Sequence, residues 1–157
     1  MRRHDREIVD FREILAVMER CDVCRVALHD EPYPYIVPMN FGMAVEGERI
    51  VLYFHGAKAG RKFDLIAKNP RVAFEMDCGH ALALDEAHQN CTMSYASVMG
   101  DGVIELLPES ERDAALRVLL AHYRAEGFPY NPKMIPVTNV MKLTVHTVTG
   151  KRRVLPH

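Results

Sequence analysis

Eight consecutive residues, HGAKAGRK at 55–62, hold the densest chemistry in this sequence. Three cations, Lys58, Arg61 and Lys62, fall within five positions of a chain whose formal net charge is -1. Gly56 and Gly60 allow the backbone to approach a ligand closely, and Ala57 and Ala59 keep that approach open. Arg61 and Lys62 fall where the next helix begins, and a helix start offers unpaired N–H groups and a favourable dipole to an anion. A guanidinium binds phosphate bidentately, and an ammonium adds a point charge. The set suits a phosphate monoester. A solvated cationic turn fits the same residues.

His55 closes the strand IVLYFH on the face of Val51 and Tyr53. A flat ligand held by its phosphate could run up the strand past this ring. That makes His55 a candidate to donate a proton or orient a substrate. A hydrogen-bonded structural histidine is the other reading.

The remaining reactive side chains are less organised. Cys21 and Cys24 form a C-x-x-C, which invites a zinc or redox reading. Cys78 and Cys91 lie thirteen positions apart and do not supply a second C-x-x-C. The two early cysteines are expected to straddle a helix end and a strand start, as plain cytosolic thiols. His80 and His88 read as loop surface, so no metal site is expected.

The elements that must position these residues follow from periodicity. DFREILAVMERC is a helix, with Asp10 as N-cap, Glu13 completing a capping box, and Phe11, Ile14, Leu15 and Met18 on the apolar face. VCRVALH is a strand. PYPYIVPMNFG is a strand whose prolines place it near an edge or a bulge. MAVEGERIVLYFH is a hairpin turning at Gly47. GRKFDLIAKNP is a helix of about two turns stopped by Asn69 and Pro70. RVAFEMD is a strand, and 78–90 reads as irregular. YASVMGDGVIELL is a strand in which Gly100 and Gly102 signal a bulge or close backbone approach. SERDAALRVLLAHYRAEG is a helix with Ala115, Leu116, Leu119, Leu120 and Tyr123 inward and Gly127 past its end. VMKLTVHTVTG is the last strand.

This count of six or seven strands and two or three helices predicts a mainly β fold, a small barrel with flanking helices. At 157 residues one domain, 1–157, is expected. Hydrophobic residues are 48% of the chain, ordinary for a globular protein. No apolar run approaches the roughly 20 residues of a membrane span. The basic start MRRHDREIVD lacks an apolar run behind it, so a cytoplasmic protein is expected. The near-zero net charge argues against nucleic acid as partner.

The stretches MRRHDREI, CDVCRVAL, PYPYIVPMNFG, LYFHGAKAGRKFDLIAKNPRVAFE, CTMSYASVMGDGVIEL, His122–Tyr123 and VTGKR together resemble the pyridoxamine 5'-phosphate oxidase-related split-barrel superfamily. Within it they look most like the nitroimidazole-resistance branch. The resemblance implies an FMN-binding split β-barrel, a homodimer with FMN at the subunit interface, and a small-molecule substrate. In the oxidase branch an Arg-Lys pair eight and seven residues before the Asn of an NP binds the flavin phosphate. Arg61 and Lys62 stand at those distances from Asn69. The same alignment implies flavin contacts at His55 and Gly56, at the Pro38, Met39 and Asn40 strand, and at Tyr95 and Ser97 in SYAS. The oxidase branch has Tyr-Thr where His55 and Gly56 stand, and its C-terminal Trp and Arg have no counterpart in VTGKRRVLPH. Pyridoxamine phosphate is therefore not the expected substrate. The expected activity is reduction of a nitro-aromatic or other small acceptor by reduced flavin, with His55 as the catalytic residue. The alternative is a flavin- or haem-binding protein without dedicated turnover, with His55 or His122 as an axial ligand.

Overall fold

The computed structural model describes residues 3–154. The first two residues of MRRHDREI and the last three of VTGKRRVLPH lie outside them. Helix α1 spans Phe11–Met18, and the Asp10 side chain accepts from Arg12 N, as its capping role requires. Its buried face is Ile14, Val17 and Met18, whereas Phe11 is exposed. Glu13 does not close a capping box. It pairs with Arg152 at 3.0 Å.

Seven strands form one antiparallel path: β2 (Cys24–Leu28), β3 (Tyr35–Met39), β4 (Gly42–Glu46), β5 (Arg49–Gly56), β6 (Arg71–Asp85), β7 (Asn90–Leu106) and β8 (Asn139–Arg153). Their order is β3-β2-β6-β7-β8-β5-β4, and a two-residue strand, β1 (Glu7–Ile8), pairs with β8. The two ends of this path, β3 and β4, are joined by Asn40 and Phe41 alone. Such a short link forces the sheet to curl until its ends meet. The result is a barrel with a split between β3 and β4, mainly β with flanking helices, as expected.

The interior is filled by alternate residues of the strands. Val26 and Leu28, Leu52 and Phe54, Val72, Phe74 and Met76, and Met141 and Leu143 are all buried, and α1 adds Val17 and Met18. The edge position expected from Pro34 and Pro38 holds, because β3 ends the path. Gly47 turns the β4–β5 hairpin at φ 68°.

Segment 78–90 is not irregular. It completes a long β6–β7 hairpin, with Ala81 opposite Ser94 and Asp85 opposite Asn90. Two things hide its alternation in the sequence. The register breaks between Cys78 and Ala81, and the arm exposes Leu82, Leu84 and Met93. Helix α3 spans Glu109–His122 and buries Ala115 and Leu119. Arg124, at φ 58°, ends it rather than Gly127, and Ala125 N returns to Leu120 O at 2.9 Å.

Candidate functional site

The cationic stretch is built where β5 leaves the barrel. His55 and Gly56 are its last two residues, opposite Val140 and Asn139 of β8. The chain crosses 57–60 and enters α2 (Arg61–Lys68). Asn69 ends α2 in extended geometry, and its side chain accepts from Arg71 N, so the NP signal works as expected. Gly60 is the N-cap, at φ 146°, where a side chain is disfavoured. It offers no side-chain cap, so no cap competes for the first-turn N–H groups at Arg61 and Lys62. The loop is fixed from below by Asn139, a buried amide donating to Lys58 O at 3.0 Å. The Lys58 side chain itself is exposed.

Lys62 folds back over the strand end. A Cβ built on Gly56 would stand 2.8 Å from Lys62 Nζ, so only glycine leaves the ammonium this place. His55 presents its ring at the surface beside it. Partial desolvation, and then the Lys62 ammonium, hold the imidazole below its ordinary value. His55 is therefore neutral at neutral pH.

Arg61 is less free than its sequence setting implies. Its Nη2 lies 2.5 Å from Asp30 Oδ2, and its guanidinium sits 5.4 Å from the centre of the Tyr35 ring. Asp30 comes from the β2–β3 connection, far from the cations in sequence, and it halves the local charge that Arg61 and Lys62 add. Arg61 is still 62% exposed, and a guanidinium keeps further donors for a second anion.

Tyr35 begins β3, which runs on to Pro38 and Met39. At about 3.3 Å per residue, Pro38 lies about 10 Å from the Arg61 contact. Pro38 is exposed, whereas the Met39 side chain is buried in the core. Asn40 turns its amide inward, donating to Tyr123 Oη at 3.2 Å and Asp22 O at 3.3 Å. Met39 can therefore meet a ligand here only through backbone, whereas exposed Asn40 keeps its amide oxygen free of these two bonds.

His122 and Tyr123 anchor this corner. Tyr123 Oη accepts from Phe41 N at 3.1 Å and donates to Asp22 O at 2.7 Å. His122 Nε2 meets Cys21 O at 2.8 Å, and its ring lies 4.2 Å from that of Phe41. The pair ties α3 to the β3–β4 link and to the turn after α1, a role the sequence did not disclose. Tyr123→Phe is expected to cost about 1–3 kcal/mol in denaturant unfolding, because Phe41 N loses its partner.

Tyr95 and Ser97 stand elsewhere. They face Arg153 and Lys151 across β7 and β8. Val140, beside His55, is eleven positions from Lys151 on β8, up to roughly 35 Å of strand. Partial burial acts to raise the Tyr95 phenol, but the hydrogen bonds of Arg6 and Lys151 overcome it and leave it below its ordinary value. The structure thus unites His55, Gly56, Lys58, Arg61 and Lys62 at one corner, places Pro38–Asn40 along the adjoining edge, and leaves Tyr95 and Ser97 apart.

The comparisons agree with this fold. A family model described as pyridoxamine 5'-phosphate oxidase matches residues 10–152. A candidate 5-nitroimidazole antibiotic resistance protein from Bacteroides thetaiotaomicron is 30% identical, with a TM-score of 0.81 over 93% of this chain and 86% of that one. The flavocytochrome Anf3 from Azotobacter vinelandii is 24% identical, with a TM-score of 0.80 over 99% of this chain and 73% of that one. An FAD- and haem-binding protein from Mycobacterium smegmatis is 16% identical, with a TM-score of 0.77 over 97% and 76%. The last two likenesses establish the fold alone. A comparison with curated protein sequences gives no match. The extent of the family match, covering both the cationic corner and the β3 edge, makes this chain a member of the pyridoxamine 5'-phosphate oxidase-like family.

Proposed function

We propose that the chain is an FMN-binding oxidoreductase that delivers reducing equivalents to a nitro-aromatic or similar small acceptor. It acts as a cytoplasmic homodimer, with neither nucleic acid nor membrane as partner. The observation that carries this reading is the cationic corner: Arg61 and Lys62 at an uncapped helix start, with Lys62 laid over Gly56, next to the open edge of β3.

The residues fit the cofactor. Lys62 and the outward donors of Arg61 match a phosphate monoester. Pro38 and the β3 backbone run about 10 Å away, in reach of the flat end of the same molecule. Tyr95 and Ser97 lie too far along the sheet to serve the corner of their own chain. In a homodimer with a shared site they would come to the corner from the second copy.

FMN, when bound, supplies the two-electron redox chemistry. The chain's residues do the rest. Arg61 and Lys62 would hold the phosphate, and the β3 backbone would support the flat end of the molecule. His55 stands at the rim, where an acceptor enters. As a neutral imidazole it donates one N–H hydrogen bond and orients the acceptor, and as an imidazolium it can release a proton.

The test is reduction of a nitroimidazole under anaerobic conditions by chemically reduced, FMN-reconstituted protein. His55→Ala is expected to retain FMN and lose about 10²-fold or more in rate, the usual weight of a positioned proton donor. In the wild type, rate rises as pH falls below the ordinary imidazole value of 6.5, and His55→Gln flattens that rise. Wild-type turnover in His55→Ala removes the catalytic role. A second reading is a haem- or flavin-binding protein without turnover. With His122 Nε2 committed to Cys21 O, it leaves exposed His55 as the better axial ligand of the two. A Soret band in the purified protein, in place of a flavin spectrum, would favour it.

A further inference from the structure

Two thiols that are remote in sequence share one carbonyl. Cys21 is buried after α1 and donates to Val17 O at 3.3 Å. Cys78, on β6, reaches the same oxygen at 3.9 Å. Both sulfurs therefore lie around the same Val17 oxygen. The C-x-x-C partner, Cys24, is fully buried on β2 opposite Met39. Among the described residues no group of three His, Cys, Asp or Glu side chains could hold a metal ion. The chemistry left to the pair is that of sulfur itself.

We infer that Cys21 and Cys78 form an oxidation-sensing pair, which hydrogen peroxide converts to a disulfide tying the end of α1 to β6. Exposure assigns the order of events. Cys78 is partly exposed and meets peroxide first. Its thiolate attacks one peroxide oxygen, the O–O bond breaks, and Cys78 becomes a sulfenic acid as one water leaves. The Cys21 sulfur then attacks the sulfenic sulfur. The S–S bond forms, the S–O bond breaks, and a second water leaves. Two thiols lose two electrons in all, and one peroxide becomes two waters.

Burial pushes the Cys21 thiol up, and Cys78, Asp77 and Glu75 add to the effect. Cys21 is thus a poor first nucleophile and serves as the resolving partner. The backbone permits the approach. Cys78 is the last paired residue before the β6–β7 register breaks, and Gly79 follows at φ 71°, so the ladder holds Cys78 from one side only. The bond would join two anchors of the fold. Cys21 O holds His122, and Cys78 pairs with Ala96, between Tyr95 and Ser97.

The test uses the full chain in a Cys91→Ser background, which removes the exposed competitor thiol. Reduced protein freed of reductant is treated with hydrogen peroxide. The expected product is lighter by two hydrogen atoms, yields a linked Cys21–Cys78 peptide on digestion, and reverts with dithiothreitol. Adding Cys78→Ser, at a half-buried site, abolishes both the mass loss and the linked peptide. A Cys21–Cys24 peptide, or Cys78 advancing to sulfinic acid while Cys21 stays free, overturns the pairing. So does no change under conditions that oxidise free cysteine in the same tube. None of these outcomes requires flavin, so the result is separable from the cofactor reading.

Discussion

Arg61→Ala combined with Lys62→Ala is expected to abolish flavin retention while leaving the fold intact. Hydrogen bonds to a charged group contribute about 1.5–3 kcal/mol each. Losing both cations therefore costs about 3–6 kcal/mol of binding, or about 10²–10⁴-fold in Kd for FMN. Neither side chain carries the core: Arg61 is exposed and Lys62 lies on the surface of Gly56 and Phe63. The single variants should differ. Arg61→Ala leaves Asp30, whose side chain is only 15% exposed, as an unpaired carboxylate beside the phosphate position. It should weaken binding more than Lys62→Ala, and adding Asp30→Asn to Arg61→Ala should recover part of the loss. Lys62→Ala has a readout that needs no flavin. It removes the ammonium that helps depress His55, so the imidazole should titrate closer to its ordinary value by NMR, with the remaining depression due to burial. Fluorescence titration with FMN decides the main claim. Unchanged affinity in the double variant would sink the phosphate assignment.

The same His55 shift sets a sign for stability. Its folded value lies below the unfolded one, so its contribution is fully present above the ordinary 6.5 and is lost as pH falls through the folded value. His55→Gln should remove that part of the acid dependence of unfolding. Because the residue reaches solvent and its desolvation is partial, the change is small beside the loss of flavin in the double variant.

What the sequence disclosed was local. The Asp10 cap, the Gly47 turn, the NP stop and the proline-marked edge each depend on residues a few positions apart, and each forms as read. Gly100 and Gly102 also behave as expected. A Cβ at either would meet a β8 carbonyl, at 2.5 Å from Thr147 O or 2.2 Å from Thr144 O. The placement of Arg61 and Lys62 at a helix start was legible for the same reason. Their electrostatic setting was not. Asp30 reaches Arg61 from another turn, and Asn139 reaches the Lys58 carbonyl from the start of β8. No periodicity encodes either contact. The hairpin arm at 78–90 was missed because a register break and two exposed leucines erase the inward–outward alternation that marks a half-buried strand. The His122–Tyr123 pair was visible as a resemblance, but its work is done by a hydroxyl and a ring nitrogen bonding to backbone of distant segments.

Gly42→Ala should give the largest loss of stability of any single methyl addition at a turn or strand glycine outside β7. Gly42 opens β4, and α3 rests directly on it. A Cβ there would stand 2.5 Å from both Leu119 Cα and Leu119 N, and 2.7 Å from Val118 C. These atoms are backbone, so no rotamer change and no truncation of Leu119 relieves the clash. The helix must move. Overpacking of this kind costs typically about 1–3 kcal/mol. Here the displaced helix also carries His122 and Tyr123, whose bonds to Cys21, Asp22 and Phe41 would lengthen together. A total near 3 kcal/mol is expected, against an ordinary domain stability of about 5–15 kcal/mol, so the variant folds but unfolds at lower denaturant. Gly47→Ala is the control. Nothing lies within 4 Å of its Cβ, and it pays only for its positive φ, about 1 kcal/mol. Equal losses in the two variants would show that α3 does not press on β4. The site should respond too. Moving Tyr123 loosens Asn40 and Phe41, the end of the β3 edge proposed to support the flavin, so Gly42→Ala weakens FMN binding without touching a cation. The cation variants do the reverse, losing flavin with a smaller change in stability, confined to the Asp30 carboxylate that Arg61 leaves behind. That opposite pattern separates what builds the site from what binds in it.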